Sequence, residues 1–117
     1  MPSTRAHLKQ ATHNEKLLNE IDLVDTGFID WAVTISFYTA LHLIEAHLGS
    51  RRVHSSLHSD RDKNVTTHLP GIYDEYFDLK NDSIEARYKM HKFSKEDFVD
   101  NIKPNLETIK AYVHRYP

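Results

Sequence analysis

The chain has no cysteine at all, only three glycines and four prolines, and a single tryptophan. Without cysteine there is no disulfide framework, no thiolate nucleophile and no zinc–thiolate site. So few turn-forming residues, with no sustained alternation of Val, Ile or Thr, leave little support for strands. No apolar run reaches the roughly 18 uncharged residues that a membrane span needs; His42 and Glu45 interrupt the best candidate. The N-terminal segment MPSTRAHLKQATHNEK is polar and lacks the apolar core of a signal peptide. The expected location is therefore cytoplasmic. A net charge of −2 argues against a protein that coats nucleic acid non-specifically, because counterion release needs a basic surface.

What the sequence does contain is helical periodicity. At 117 residues it is long enough for one core and is read as one domain over 1–117. The most informative stretch is DWAVTISFYTALHLIEAHL, residues 30–48. At 100° per residue, Val33, Phe37, Ala40, Leu41, Ile44 and Leu48 share one side, while Trp31, Ile35 and Ala46 fall on another. A helix apolar on most of its circumference belongs at the centre of a bundle. Thr34, Tyr38, His42 and Glu45 nevertheless recur at steps of four, four and three. Buried polar groups need partners, so this row is expected to meet another helix, a subunit interface or a site. His42 in particular is expected to bond to Arg87 or Tyr88.

The remaining helices follow from caps and stripes. A first helix is expected from about Ser3 to Asp22, with Leu8, Ala11, Leu18 and Ile21 inward and His7 and Asn14 at compatible spacing. A turn follows over Val24–Phe28. Asp30 reads as the N-cap of the central helix and Gly49-Ser50 as its stop. Residues 50–70 are polar and locally basic, with a short helix near 59–69 ended by Pro70-Gly71. A long helix carries Ile72, Tyr73, Tyr76, Phe77, Leu79, Ile84 and Tyr88, and a capping box at Asp82 and Glu85 would split it. Ser94 and Asp97 form the start signal of the last helix, with Phe93 and Phe98 as a hydrophobic staple. Pro104 predicts a kink there. The expected architecture is all-α, an up-and-down bundle of four main helices plus a short one.

FYTALHLIEAHL on the central helix, HSSLHSDRDKNV after it, then SIEARY and a final amphipathic helix together resemble the HEPN superfamily (higher eukaryotes and prokaryotes nucleotide-binding domain). The resemblance runs from about Ala6 to Val113 and points to the small stand-alone prokaryotic members. It implies a helical bundle that dimerises, and in many members a metal-independent ribonuclease that is a toxin paired with a nucleotidyltransferase antitoxin. The family's motif is Arg, a polar residue, and a His after four to six intervening residues. Arg61, Asp62 and His68 fit it with six residues between Arg61 and His68. In the family that motif usually lies on a later helix. Arg87 and His91 enclose only three residues and do not fit.

The chemistry supports these residue types independently of the name. Cleaving RNA without a metal requires a base for the 2′-OH, an acid for the leaving 5′-oxygen, and charge to stabilise the phosphoryl oxygens. Histidine serves either proton transfer near neutral pH, and arginine offers a planar fork of donors to phosphate. His58, three residues before Arg61, is a second candidate partner; Asp62 would orient a neighbour or a water. A symmetric dimer would bring two Arg–His pairs to one groove. It is expected to form also because the central helix offers surplus apolar surface.

The plainer readings are specific too. Arg61 would pair with Asp60, Asp62 or a carboxylate on another helix, and His68 would cap its helix or lie exposed. Tyr88 would be core, and Arg87 would anchor helix packing against Glu45 or another helix. Tyr38, His42, Glu45, Arg87 and Tyr88 would then form an internal network or a binding surface. His54 and His58 at i, i+4, or His42 and Glu45 at i, i+3, raise a metal site, but no Glu-x-x-His occurs on the long helices. No cofactor or metal is expected. Three function classes remain: a HEPN-type ribonuclease, a catalytically silent HEPN-like module that binds a nucleotide or a protein, and, well behind, a metal-dependent bundle enzyme.

Overall fold

A computed structural model describes residues 3–21 and 28–115. Among them there is no strand, and no helix is long and apolar enough to cross a membrane. Helix α1 (Thr4–Glu20) leads to the central α2 (Ile29–Ser50) and the short α3 (His58–His68). A 3₁₀ turn, Pro70–Ile72, passes directly into α4 (Tyr73–Tyr88). The last helical path starts as α5 (Lys95–Asp97), widens to a π turn at Phe98–Ile102, and continues as α6 (Lys103–Arg115).

The α2 stripe lies where its periodicity puts it. Val33, Phe37, Ala40, Leu41, Ile44 and Leu48 are all buried, and α2 is flanked by α1, α3, α4 and α6. Opposing it are Ile72, Tyr76 and Leu79 from the 3₁₀ turn and α4, with Phe98, Ile102, Leu106, Ile109 and Val113 from the last helical path. Trp31, by contrast, is 57% exposed. The surplus apolar surface expected of α2 is thus mostly covered by the chain's own helices.

Local signals explain the boundaries. Ser3 Oγ accepts the Ala6 N–H at the start of α1. Ser94 Oγ accepts the Asp97 N–H at 3.0 Å, while the Asp97 carboxylate accepts the Ser94 N–H at 2.9 Å, the reciprocal box expected from the sequence. Phe98 is buried, and Phe93 is packed against the same core. Pro104 has no N–H, and its ring would crowd the carbonyl of Asp100 in a regular helix. The π turn immediately before it is where the helix gives way.

Two boundary expectations need correction, the N-cap of α2 and the break in α4. The N-cap of α2 is Phe28 and not Asp30, whose carbonyl instead accepts from the Thr34 hydroxyl. Helix α2 stops at Ser50, as Gly49-Ser50 predicts, with Gly49 in its last turn and Arg52 as the left-handed residue after it, at φ 61°. Glycine at 49 serves a close approach: a Cβ there would lie 2.6 Å from Thr4 Oγ1 of α1. Helix α4 runs unbroken through Asp82 and Glu85, because Ser83 and Ala86 are buried in the core. Helix α1 ends at Glu20; Asp22 and most of the turn expected over Val24–Phe28 lie outside the described residues.

Candidate functional site

The polar row of α2 is real but shorter than its spacing suggests. Thr34 leaves it, since its hydroxyl donates to the Asp30 carbonyl one turn back. Ser36 and Thr39 are satisfied the same way, by the carbonyls of Ala32 and Ile35. Tyr38, His42 and Glu45 instead reach three different helices.

Glu45 receives Arg61. The Arg61 Nε–H donates to Glu45 Oε1 at 2.8 Å, with side chains only 12% and 4% exposed. This is a buried ion pair between α3 and α2. The same guanidinium uses Nη1 to donate to His58 Nδ1 at 2.8 Å. Because arginine is always protonated, that Nδ1 must be a bare acceptor, so His58 is neutral and carries its hydrogen on Nε2. Partial burial, then the positive charges of Arg61 and Lys80, hold the His58 pKa below its ordinary value. Asp62 opposes this weakly, and Arg87 adds to it.

Helix geometry explains why His58 and not His68 meets Arg61. Both lie on roughly the same side of α3, but His58 is one turn away and His68 two, on the order of 4.5 and 10.5 Å along the axis. His68 sits exposed at the far end, with no hydrogen bond to Arg61. The expected Arg61–His68 convergence does not occur; the histidine beside Arg61 is His58. Asp62 is engaged by α4, accepting from the Tyr76 hydroxyl at 2.7 Å and from Lys80. It is therefore a strut between helices, and not a group free to orient a water. The Tyr76 hydroxyl is pushed far above its usual pKa by burial and by its bond to Asp62.

Tyr38 and His42 take partners other than those expected. Arg87 Nη1 donates to the Tyr38 hydroxyl at 2.7 Å, and Arg87 Nε to the Ser83 carbonyl. Arg87 does not pair with Glu45, which Arg61 occupies. Tyr88 is no core residue: it is 71% exposed, with the Arg87 guanidinium 4.9 Å from its ring centroid. His42 is held by His7 of α1, Nδ1 to Nδ1 at 3.0 Å, and not by Arg87 or Tyr88.

His7, Tyr76 and Lys80 were not singled out from sequence as site residues. The signal for His7 was present: it stands on the inward stripe of α1, four residues before the buried Ala11. A polar residue on such a stripe implies a polar partner. The His7–His42 contact also sets a pH dependence. Desolvation lowers the His7 pKa, opposed by Glu45 and reinforced by Arg61 and His54. Desolvation, then His7 and Arg61, lowers that of His42 against the pull of Glu45. The folded state therefore binds fewer protons than the unfolded chain near pH 6.5. The stability these rings contribute is present above that pH and lost as pH falls through their lowered values. Thermal melts should show Tm falling between pH 7.5 and 5, and His7→Phe with His42→Phe should flatten that slope. An equal slope in the double variant would show that the acid sensitivity lies elsewhere.

The assembled site is a set of polar contacts that tie α2 to α1, α3 and α4. His42 and Glu45 of α2 face His7, Arg61 and His58; Asp62, Tyr76 and Lys80 tie α3 to α4, and Arg87 closes it on Tyr38. Arg61, Lys80 and Arg87 all act as positive charges on the exposed, neutral His58, with Arg61 paired to Glu45 and Lys80 to Asp62. That arrangement suits a phosphate-bearing ligand. Among the described residues, no three His, Asp or Glu side chains are grouped to hold a metal ion. No protein-family model, curated protein or solved structure matches this chain.

Proposed function

We propose that this chain is a HEPN-like domain and a metal-independent endoribonuclease, acting through His58 and Arg61. The observation that carries the reading is the 2.8 Å contact between Arg61 Nη1 and the neutral, exposed His58. An incoming phosphodiester would draw Arg61 Nη1 away from His58 by charge-assisted bonding. The released imidazole then removes the 2′-OH proton, the 2′-oxygen attacks phosphorus, and the 5′-oxygen leaves with a proton from an acid. A second copy of the chain would supply that acid as its own protonated His58. The products are a 2′,3′-cyclic phosphate and a 5′-hydroxyl.

The resemblance adds a nucleotidyltransferase antitoxin as a partner and a cytoplasmic setting. A second reading, a silent HEPN-like module that binds a nucleotide or a protein, is favoured by one contact. Glu45 takes the Nε–H of Arg61 and offsets its charge. Digestion of RNA in the presence of EDTA separates the readings. The expected result is cleavage that survives chelation, leaves cyclic phosphate ends and is unchanged in His68→Ala. Light scattering should accompany it, because a chain that stays at 13.7 kDa leaves each site with one His58. Intact RNA under all conditions would favour the silent module, and loss of cleavage on chelation would favour a metal-dependent enzyme.

A further inference from the structure

The stretch from the end of α4 has an unusual composition. Residues 87–95, RYKMHKFSK, contain Arg87, Lys89, Lys92 and Lys95, no carboxylate, and two interleaved aromatic residues. Basic residues at a helix C-terminus are favoured by the macrodipole, and Lys89 pairs with Glu85 within α4. That accounts for Lys89 but not for Lys92 and Lys95, which lie beyond the helix.

The chain here is shaped and not merely frayed. The His91 and Lys89 N–H groups both donate to the Glu85 carbonyl, and Met90 between them is left-handed at φ 54°. A side-chain-bearing residue in that region is uncommon, and it throws Met90 outward, 87% exposed. The result is an open groove of about 610 Å³, lined among others by Asp30, Arg87, Met90, His91, Lys92 and Phe93. Arg87 forms its inner wall, fixed by Tyr38 and the Ser83 carbonyl, and its outer guanidinium face lies near the exposed Tyr88 ring.

We infer that this groove holds a single-stranded RNA segment flanking the scissile phosphate, with Lys92 on its wall as a phosphate partner and Tyr88, exposed beside the groove against Arg87, as the stacking face for one base. The assignment rests on the ribonuclease reading for the scissile phosphate, while the groove's own chemistry points to the strand. An exposed aromatic ring, Tyr88, close to the exposed Lys92 offers a base face and a phosphate partner to a single strand. A duplex hides its base faces and offers Tyr88 nothing to stack on. Arg87 joins the two regions, since it lines the groove and also bonds to Tyr38 of the polar row on α2.

The test uses fluorescence anisotropy with a labelled, 2′-O-methylated single-stranded RNA, which binds without being cut. Tyr88→Ala should weaken binding about tenfold, the usual size of one lost stacking contact, and Tyr88→Phe should restore it. Lys92→Glu should weaken binding and flatten its salt dependence. Circular dichroism on these exposed variants confirms that the fold is kept. Wild-type binding with these losses but no cleavage of ordinary RNA would sink the ribonuclease reading and support the groove. Unchanged affinity in both Tyr88→Ala and Lys92→Glu would overturn the groove, even if cleavage were intact. So would a preference for duplex, or no binding.

Discussion

Replacing Arg61 with alanine should destabilise the fold by about 3–5 kcal/mol, the typical cost of removing one partner from a buried ion pair. The sequence reading places Arg61 in a locally basic polar segment, where it would contribute little to the core. The structure places it on α3 with its guanidinium against Glu45, whose side chain is 4% exposed. In Arg61→Ala, Glu45 would remain beneath α3 without its cation and would have to take up a proton or draw in water. Urea denaturation should therefore show a much lower midpoint. Pairing the change with Glu45→Leu removes the orphaned charge and should recover most of the loss, because apolar replacements of a buried pair are often close to neutral. A single variant as stable as wild type would mean that the pair is not buried in solution.

The cleaner probe of chemistry is His58. Its ring is exposed at the rim of α3 and, among the described residues, bonds to Arg61 Nη1 alone, so His58→Ala should leave the denaturation midpoint almost unchanged. Loss of a general acid or base costs roughly 10²–10⁴-fold in rate, and in a symmetric site one substitution removes both. Cleavage should fall by at least the lower figure while RNA binding persists. The pH profile gives a second readout. With the His58 pKa held below its ordinary 6.5, the base limb of kcat/KM should turn over on the acid side of that value. Full cleavage by His58→Ala would remove this residue from the mechanism.

How much of this could be read from the residues varies with the kind of information involved. The burial of Phe37, Ile44 and Leu48 was legible because helical period alone decides which face of α2 is apolar. The polar row was legible as Tyr38, His42 and Glu45 on an otherwise buried helix. Its partners were not, because they depend on how helices assemble: Arg61 and Arg87 are both arginines within reach of the row, and no local signal says which meets Glu45. Thr34 was misplaced because a threonine can satisfy itself on the carbonyl four residues earlier. The choice between His58 and His68 was recoverable. Treating residues 59–69 as helix already puts His68 two turns from Arg61, too far for a direct bond. Tyr88 was misjudged because an aromatic ring near a helix end serves a core or a surface equally well.

The π turn at Phe98–Ile102 also bears on how this helix is numbered. Phe98, Ile102 and Leu106 are spaced by fours, which on a regular α-helix would drift by about 40° at each step and carry Leu106 away from the core. A turn that holds extra chain absorbs that drift, so all three stay inward, and the pattern then resumes with Ile109 and Val113. A helical wheel drawn in one piece across Asp100 is therefore out of register on one side. Removing a single residue between Phe98 and Ile102 would leave the inward positions at steps of three, four, three and four, the spacing of one face of a regular α-helix. The inner edge of α6 would keep its facing, and Pro104 would lose the widened turn that now makes room for its ring.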